Sequence, residues 1–353
     1  MKKILPLLTF ILILLSCSKK QTLSPSTTDP GFITICEGNF TYGNASMTFF
    51  DLKKNTSFQN IFQSVNHFKL GDVAQWITKF RSYYFISINN SGKILVINAQ
   101  SLKFINQITN LTSPRQILVI NDSLAVVSDL YAKYLTFFSP ENFQILFKLP
   151  LHHSSEAMAF DNGFLFVTSW SFDNKIFKIN PFDRKVIDST IVTYQPNSIV
   201  IDKFHHLWVL SDGGLWNGAP VHTLPAITEL TENLDTIKVF KFNNIDFSPS
   251  SLCINSSKDT LFFLNSSWSN TTDPHFGVFK MPVTALSLPQ KPFIPQKNAT
   301  FYRLNYIPQT QMIAVADAKD FQQPGQMLIF YTNGKLFLKF NTGIIPAMNV
   351  YKF

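Results

Sequence analysis

The chain has 353 residues, 45% of them hydrophobic and 14% aromatic, with a formal net charge of +8. The apolar content excludes a disordered chain, and no run of Lys and Arg exceeds two residues, so the clustered basic patch of a nucleic-acid-binding protein is absent. No long helical period is visible, and the abundance of Phe and β-branched residues predicts an all-β fold.

The first element is a leader. Residues 1–16 carry Lys2 and Lys3, an apolar core over 4–15 and the small Ser16 before Cys17, the pattern of a signal peptide too short to span a bilayer. The run Leu14-Leu15-Ser16-Cys17 resembles a bacterial lipobox, which implies cleavage before Cys17 and acylation of that cysteine. Residues 17–30 then read as a lipidated Cys17 with a polar, Pro- and Ser/Thr-bearing tether, and residues 31–353 as the folded domain. Lys19 and Lys20 follow Cys17 where surface-exported lipoproteins tend to have acidic residues, so an outer-membrane lipoprotein facing either the cell surface or the periplasm is expected.

Within that domain one pattern recurs. A short apolar strand runs into a polar turn at FITICEGN (32–39), YFISINN (84–90), LAVVSDLY (124–131), LFVTSW (165–170), LWVLSDGG (207–214), LFFLNSSW (261–268) and IAVADAKD (313–320). Aligned on Glu37, Asn89, Ser128, Ser169, Ser211, Asn265 and Asp317, the copies are 52, 39, 41, 42, 54 and 52 residues apart. A four-stranded propeller blade needs about 40–45 residues, so the longer steps predict loop insertions. A second apolar run precedes most copies, as in SPRQILVI (113–120), QPNSIVI (195–201) and SPSSLCI (248–254), and paired β-rich runs follow. The first copy lacks the preceding strand, while IPAMNVYKF (345–353) is such a strand with nothing after it. The prediction is a seven-bladed β-propeller in which the C-terminal strand completes the first blade and removes both sheet edges.

In that fold the turns before the inner strands and the loops after the second strands share one face. Placed there are Glu37, Asn39, Asn44, Trp76, Asn89, Arg115, Asp129, Tyr131, Trp170, Asp212, Trp216, Trp268, Arg303 and Asp317, which we expect to bind ligand. Flat aromatic faces with amides and carboxylates suit a bulky, partly polar ligand. Trp208 falls inside a strand and is expected in the core. No HExxH, GxSxG, Walker or EF-hand pattern occurs, so a non-enzymatic protein without a cofactor is expected. One enzymatic alternative is an axial divalent cation of the propeller-lactonase kind, held by Glu37, Asn197, Asp129, Asp212 and Asp317. With Cys17 acylated, Cys36 and Cys253 fall on different blades and are expected as free thiols.

The segment CEGNFTYGNASMTFFD (36–51) resembles the opening blade of YncE-like lipoproteins of Bacteroidetes, through Glu37, Gly38, Asn39, Gly43, Asn44, Ala45 and Ser46. Some members bind cobalamin at the cell surface and cap a TonB-dependent vitamin B12 transporter. The resemblance therefore implies a corrinoid ligand and a TonB-dependent outer-membrane receptor as partner, for a chain otherwise monomeric. The alternative is an envelope scaffold that docks another protein and takes no small ligand.

Overall fold

The computed structural model describes residues 28–214, 219–266 and 275–353. Its strands form seven four-stranded antiparallel sheets arranged as the blades of a ring. The strands most deeply buried are those read from the sequence repeat. Each is the second strand of its blade: Gly31–Cys36, Tyr83–Ile88, Ala125–Asp129, Phe164–Thr168, Leu207–Ser211, Thr260–Asn265 and Met312–Asp317. Both faces of such a strand are covered by neighbouring blades, which is why it reads as a continuous apolar run without alternation. The outermost strands behave oppositely. Lys185–Ile191 is exposed along almost its whole length and carries Lys185 and Asp188, charges that protect an edge from pairing with another chain.

The ring closes at its first blade. Pro346–Lys352 supplies the inner strand and pairs antiparallel with Gly31–Cys36, with Gly31 opposite Lys352 and Cys36 opposite Pro346. The predicted C-terminal closure is therefore present. Its seam with blade seven is apolar: Phe32 and Phe50 pack with Ile307, Met327, Ile329 and Phe340, and the Phe50 and Phe340 rings stack at 4.7 Å. Six residues of such side chains going from water to core contribute on the order of 10 kcal/mol.

Side-chain amides stitch the inner strands together. Gln116 of blade three donates to the Met158 carbonyl and accepts its N–H, and Asn305 of blade seven does the same with Asn349 of blade one. Each amide replaces the backbone bonds that adjacent blades cannot make with one another. The long steps in the repeat have local causes. A short helix, Ile61–Asn66, follows blade one, and long stretches of sequence, 212–225 and 266–276, separate the second and third strands of blades five and six. Trp208 is wholly buried, and its indole donates to Asp202 at 2.9 Å.

Candidate functional site

The inner strands share a defect that builds the site. Register shifts occur between Ala74 and Trp76, Pro114 and Ile117, Pro196 and Ser198, Ser250 and Cys253, and Phe301 and Arg303. Each bulge lies near the start of the strand, at the mouth of the central channel. The residues it leaves without a cross-strand partner include Gln75, Arg115, Asn197 and Tyr302. A bulge bends the strand and re-aims its side chain, so four blades present a large polar group at the same level of the ring.

Those groups form a charged cluster. Arg115 makes a bidentate pair with Glu156, both bonds at 2.7 Å, and its third nitrogen donates to Gln75 at 2.9 Å. Burial alone would lower the Arg115 pKa, but the charge and hydrogen bonds of Glu156, with Glu37 beyond it, hold it above its ordinary value. The Tyr302 hydroxyl donates to Glu37 Oε2 at 2.9 Å, and Arg303 stands 3.6 Å from Glu37 Oε1. Burial and the Glu37 charge raise the Tyr302 pKa, so the phenol stays protonated. Glu37 Oε1, ion-paired with Arg303 at 3.6 Å, and Arg303 Nε are both buried and have no hydrogen-bond partner among the described residues. A buried donor without a hydrogen bond costs about 1–3 kcal/mol, which a polar ligand would recover.

A second arm of the mouth joins blades four and five. The Trp170 indole donates to Asp212 Oδ2 at 2.8 Å, and Asn197 reaches the same oxygen at 3.4 Å while holding the Pro249 carbonyl at 2.9 Å. Burial pushes Asp212 up to about 6, against the hydrogen bonds from Trp170, Gly214 and Asn197.

The remaining predicted residues are placed as follows. Asp129 accepts the backbone N–H groups of Thr112, Ser113, Tyr131 and Ala132, and Asp317 those of Thr300 and Lys319. Both carboxylates thus fix the turns flanking their blades. Asn89 is buried and donates to Ser113 Oγ and the Pro114 carbonyl. Asn39 and Asn44 lock the first-blade loop on itself, the Asn44 side chain accepting the Asn39 N–H at 2.8 Å, and Asn39 Nδ2 ties it to the Phe321 carbonyl of blade seven. Trp76 packs between blades two and three with its indole on Thr78. Trp216, Trp268 and Cys17 lie outside the described residues.

Sequence reasoning missed Tyr302, and it missed Phe40 and Tyr42. With the loop locked at Asn39 and Asn44, the intervening Phe40 and Tyr42 are forced outward and are 66% and 74% exposed. Tyr131 and Phe172, on the corresponding loops of blades three and four, are 65% and 54% exposed. The signal for Phe40 and Tyr42 was their position inside the Asn39–Asn44 loop.

Of the five oxygen donors of the metal alternative, Asn197 and Asp212 lie together, but among the described residues Glu37, Asp129, Asp212 and Asp317 form no group of three close enough to share an ion. Glu37 is engaged by Tyr302 and Arg303, while Asp129 and Asp317 are spent on backbone N–H groups. Among the described residues, the group of acidic and histidine side chains close enough to share an ion is Asp202, His206 and Glu229 at the opposite end of blade five. There Asp202 already accepts from Phe204, His206 and Trp208, and His206 Nδ1 is 2.9 Å from Glu229. Cys36 and Cys253 are unpaired, and burial pushes them up to about 11 and about 12.

Fold and mouth together define a seven-bladed propeller with a polar axial opening. The chain belongs to the family described as Domain of unknown function (DUF5074), whose model matches residues 30–351. No curated protein matches it. It is similar to a quinonprotein alcohol dehydrogenase-like protein from Bacteroides thetaiotaomicron, with TM-score 0.69, 15% identity, and coverage of 93% of this chain and 79% of that one. It is also similar to a putative 6-phosphogluconolactonase from Bacteroides fragilis, with TM-score 0.64, 12% identity and coverage of 93% and 99%. A virginiamycin B lyase from Staphylococcus aureus matches at TM-score 0.58 and 14% identity, over 75% and 82%. At these identities the likeness establishes the fold alone.

Proposed function

We propose that the protein is a lipid-anchored, non-enzymatic binding protein of the bacterial envelope whose channel mouth captures a bulky, partly polar ligand. The observation that carries this reading is a buried charged mouth in which Glu37 Oε1 and Arg303 Nε lack hydrogen bonds among the described residues, overlooked by the exposed rings of Phe40, Tyr42, Tyr131 and Phe172. Amide, guanidinium and carboxylate groups at the centre match polar substituents, and the aromatic rim supplies apolar contact at low entropic cost. The ligand class we put forward is a corrinoid, on the resemblance of the Glu37–Ser46 segment, with a TonB-dependent receptor as the recipient.

The test is titration of the chain from Ser18 onward with cyanocobalamin, read by calorimetry and by tryptophan fluorescence corrected for absorption by the coloured ligand. Saturable one-to-one binding, weakened by about 1–3 kcal/mol in Trp170→Ala or Tyr131→Ala, supports the proposal. Absence of heat and of a saturable signal overturns the corrinoid assignment. The same exposed rings would then serve a protein partner, detected by co-purification from the envelope.

A further inference from the structure

We propose a second binding site, separate from the mouth: a cleft between blades six and seven, on the opposite face, takes a monosaccharide that carries one acidic group. The cleft encloses about 440 Å³ and lies among turn 255–259 of blade six and turns 308–311 and 332–335 of blade seven. Small-molecule pockets run from about 300 to 1,000 Å³, so this one has room for a single ring with its substituents. One asparagine builds the blade-six wall. Asn255 Oδ1 accepts the N–H groups of Asp259 and Thr260 at 3.0 and 3.1 Å, and its Nδ2 donates to Ser257 Oγ at 2.9 Å and Asp259 Oδ1 at 2.8 Å. That amide is satisfied at both ends, so the turn bearing Ser256 and Ser257 is held in place. On the blade-seven side the Tyr306 ring lies parallel to that of the buried Phe262, with centres 6.4 Å apart. The Ser256 hydroxyl donates to the Tyr306 oxygen at 3.3 Å, which leaves the phenol its own proton to donate.

The charge in the cleft sets the class of ligand. Lys280 stands opposite Phe262 on the neighbouring strand, and its Nζ lies 5.8 Å from the ring centre of Phe262 and 4.9 Å from that of Phe293. It donates to the Thr332 carbonyl at 3.0 Å, a bond across the two blades that positions the ammonium and leaves it two further N–H groups. Among the described residues Lys280 has no carboxylate partner, and no acidic side chain lines the cleft. The acidic residue of the wall, Asp259, is turned into its own turn, accepting from Asn255 and Thr260. An ammonium without a counter-charge, among hydroxyl donors, is matched by an anion. Hydroxyl and amide edges beside an aromatic ring are matched by a ligand with C–H faces and hydroxylated edges. An acidic sugar meets both demands. A neutral sugar leaves the ammonium unmatched, and a simple anion leaves most of the cleft empty.

The experiment titrates the full chain, by calorimetry and by saturation-transfer NMR of the ligand, with glucuronate, glucose 6-phosphate, glucose and inorganic phosphate. Saturable millimolar or tighter binding of at least one acidic sugar is expected, with glucose and inorganic phosphate each weaker by about tenfold or more. Either acid supports the proposal, and the tighter of the two names the source, a uronic acid of a polysaccharide or a sugar phosphate. Lys280→Met keeps an apolar chain on the two phenylalanine rings and should weaken the acidic sugar by about tenfold, with the thermal midpoint unchanged. Tyr306→Phe, which removes one hydroxyl and keeps the ring stack, should weaken it by a few-fold. Glucose binding as well as the acids overturns the role of the charge, and inorganic phosphate binding as well as the acids reduces the cleft to a simple anion site and overturns the sugar. Binding that persists undiminished in Lys280→Met belongs elsewhere, the mouth included, and overturns the site. Absence of saturable binding of both acids at millimolar concentration overturns it as well.

Discussion

Glu37 and Tyr302 are 265 residues apart in the chain, yet the tyrosine hydroxyl donates to the carboxylate at 2.9 Å. The bond spans the seam at which blade seven meets blade one. It fixes one side of the mouth and fastens the ring where the chain ends join. Tyr302→Phe leaves a buried carboxylate oxygen without its donor and should cost about 1–2 kcal/mol. The urea midpoint should fall with an unchanged slope, since the extent of burial is the same.

Arg115 and Glu156 are 14% and 12% exposed and joined by two bonds. Arg115→Met strands the glutamate and should destabilise by about 3 kcal/mol, whereas Arg115→Met with Glu156→Leu should recover most of that loss. Chemical denaturation of both single variants and the double variant completes the cycle.

Burial raises Asp212 from 3.8 to about 6. Between those values the unfolded chain holds fewer protons at this site than the folded one. Its contribution to stability is therefore greatest below pH 4, declines as pH rises to about 6 and is flat above. The decline amounts to about 3 kcal/mol. Asp212→Asn should abolish this slope. Because the Trp170 indole donates to the same carboxylate, wild-type tryptophan emission should titrate with a midpoint near 6 and the variant's should not.

Gly38 holds φ +72°, and a Cβ there would lie 2.4 Å from Asn44 Oδ1 and 2.8 Å from the Ala45 nitrogen. Gly38→Ala should cost about 2 kcal/mol through the left-handed backbone and the clash. It should also release the Asn39–Asn44 lock, so limited proteolysis would cut between those residues in the variant and spare the native loop.

How much of this was legible beforehand follows from what each residue answers to. LAVVSD was recognisable because its strand is covered on both faces, and burial on both sides writes itself as uninterrupted apolar residues. The closing strand was recognisable because residues 345–353 repeat the pattern of other inner strands. The bonds by which Asp129 and Asp317 hold their turns were not legible, because an acidic residue after a strand reads the same whether it faces solvent or its own turn. Only the hydrogen-bond donors around it decide between the two, and here backbone N–H groups surround both.

The sequence by itself determined the blade number and the way the ring closes, since these rest on local burial patterns repeated at a blade's length. The tertiary structure decided the mouth. Gln75, Arg115, Asn197 and Tyr302 come to one level through bulges, and a bulge is an extra residue in a pairing register that no single strand displays. Glu37 meets Tyr302 and Arg303 only when the ring is shut, because their proximity depends on every blade between them subtending its share of the circle.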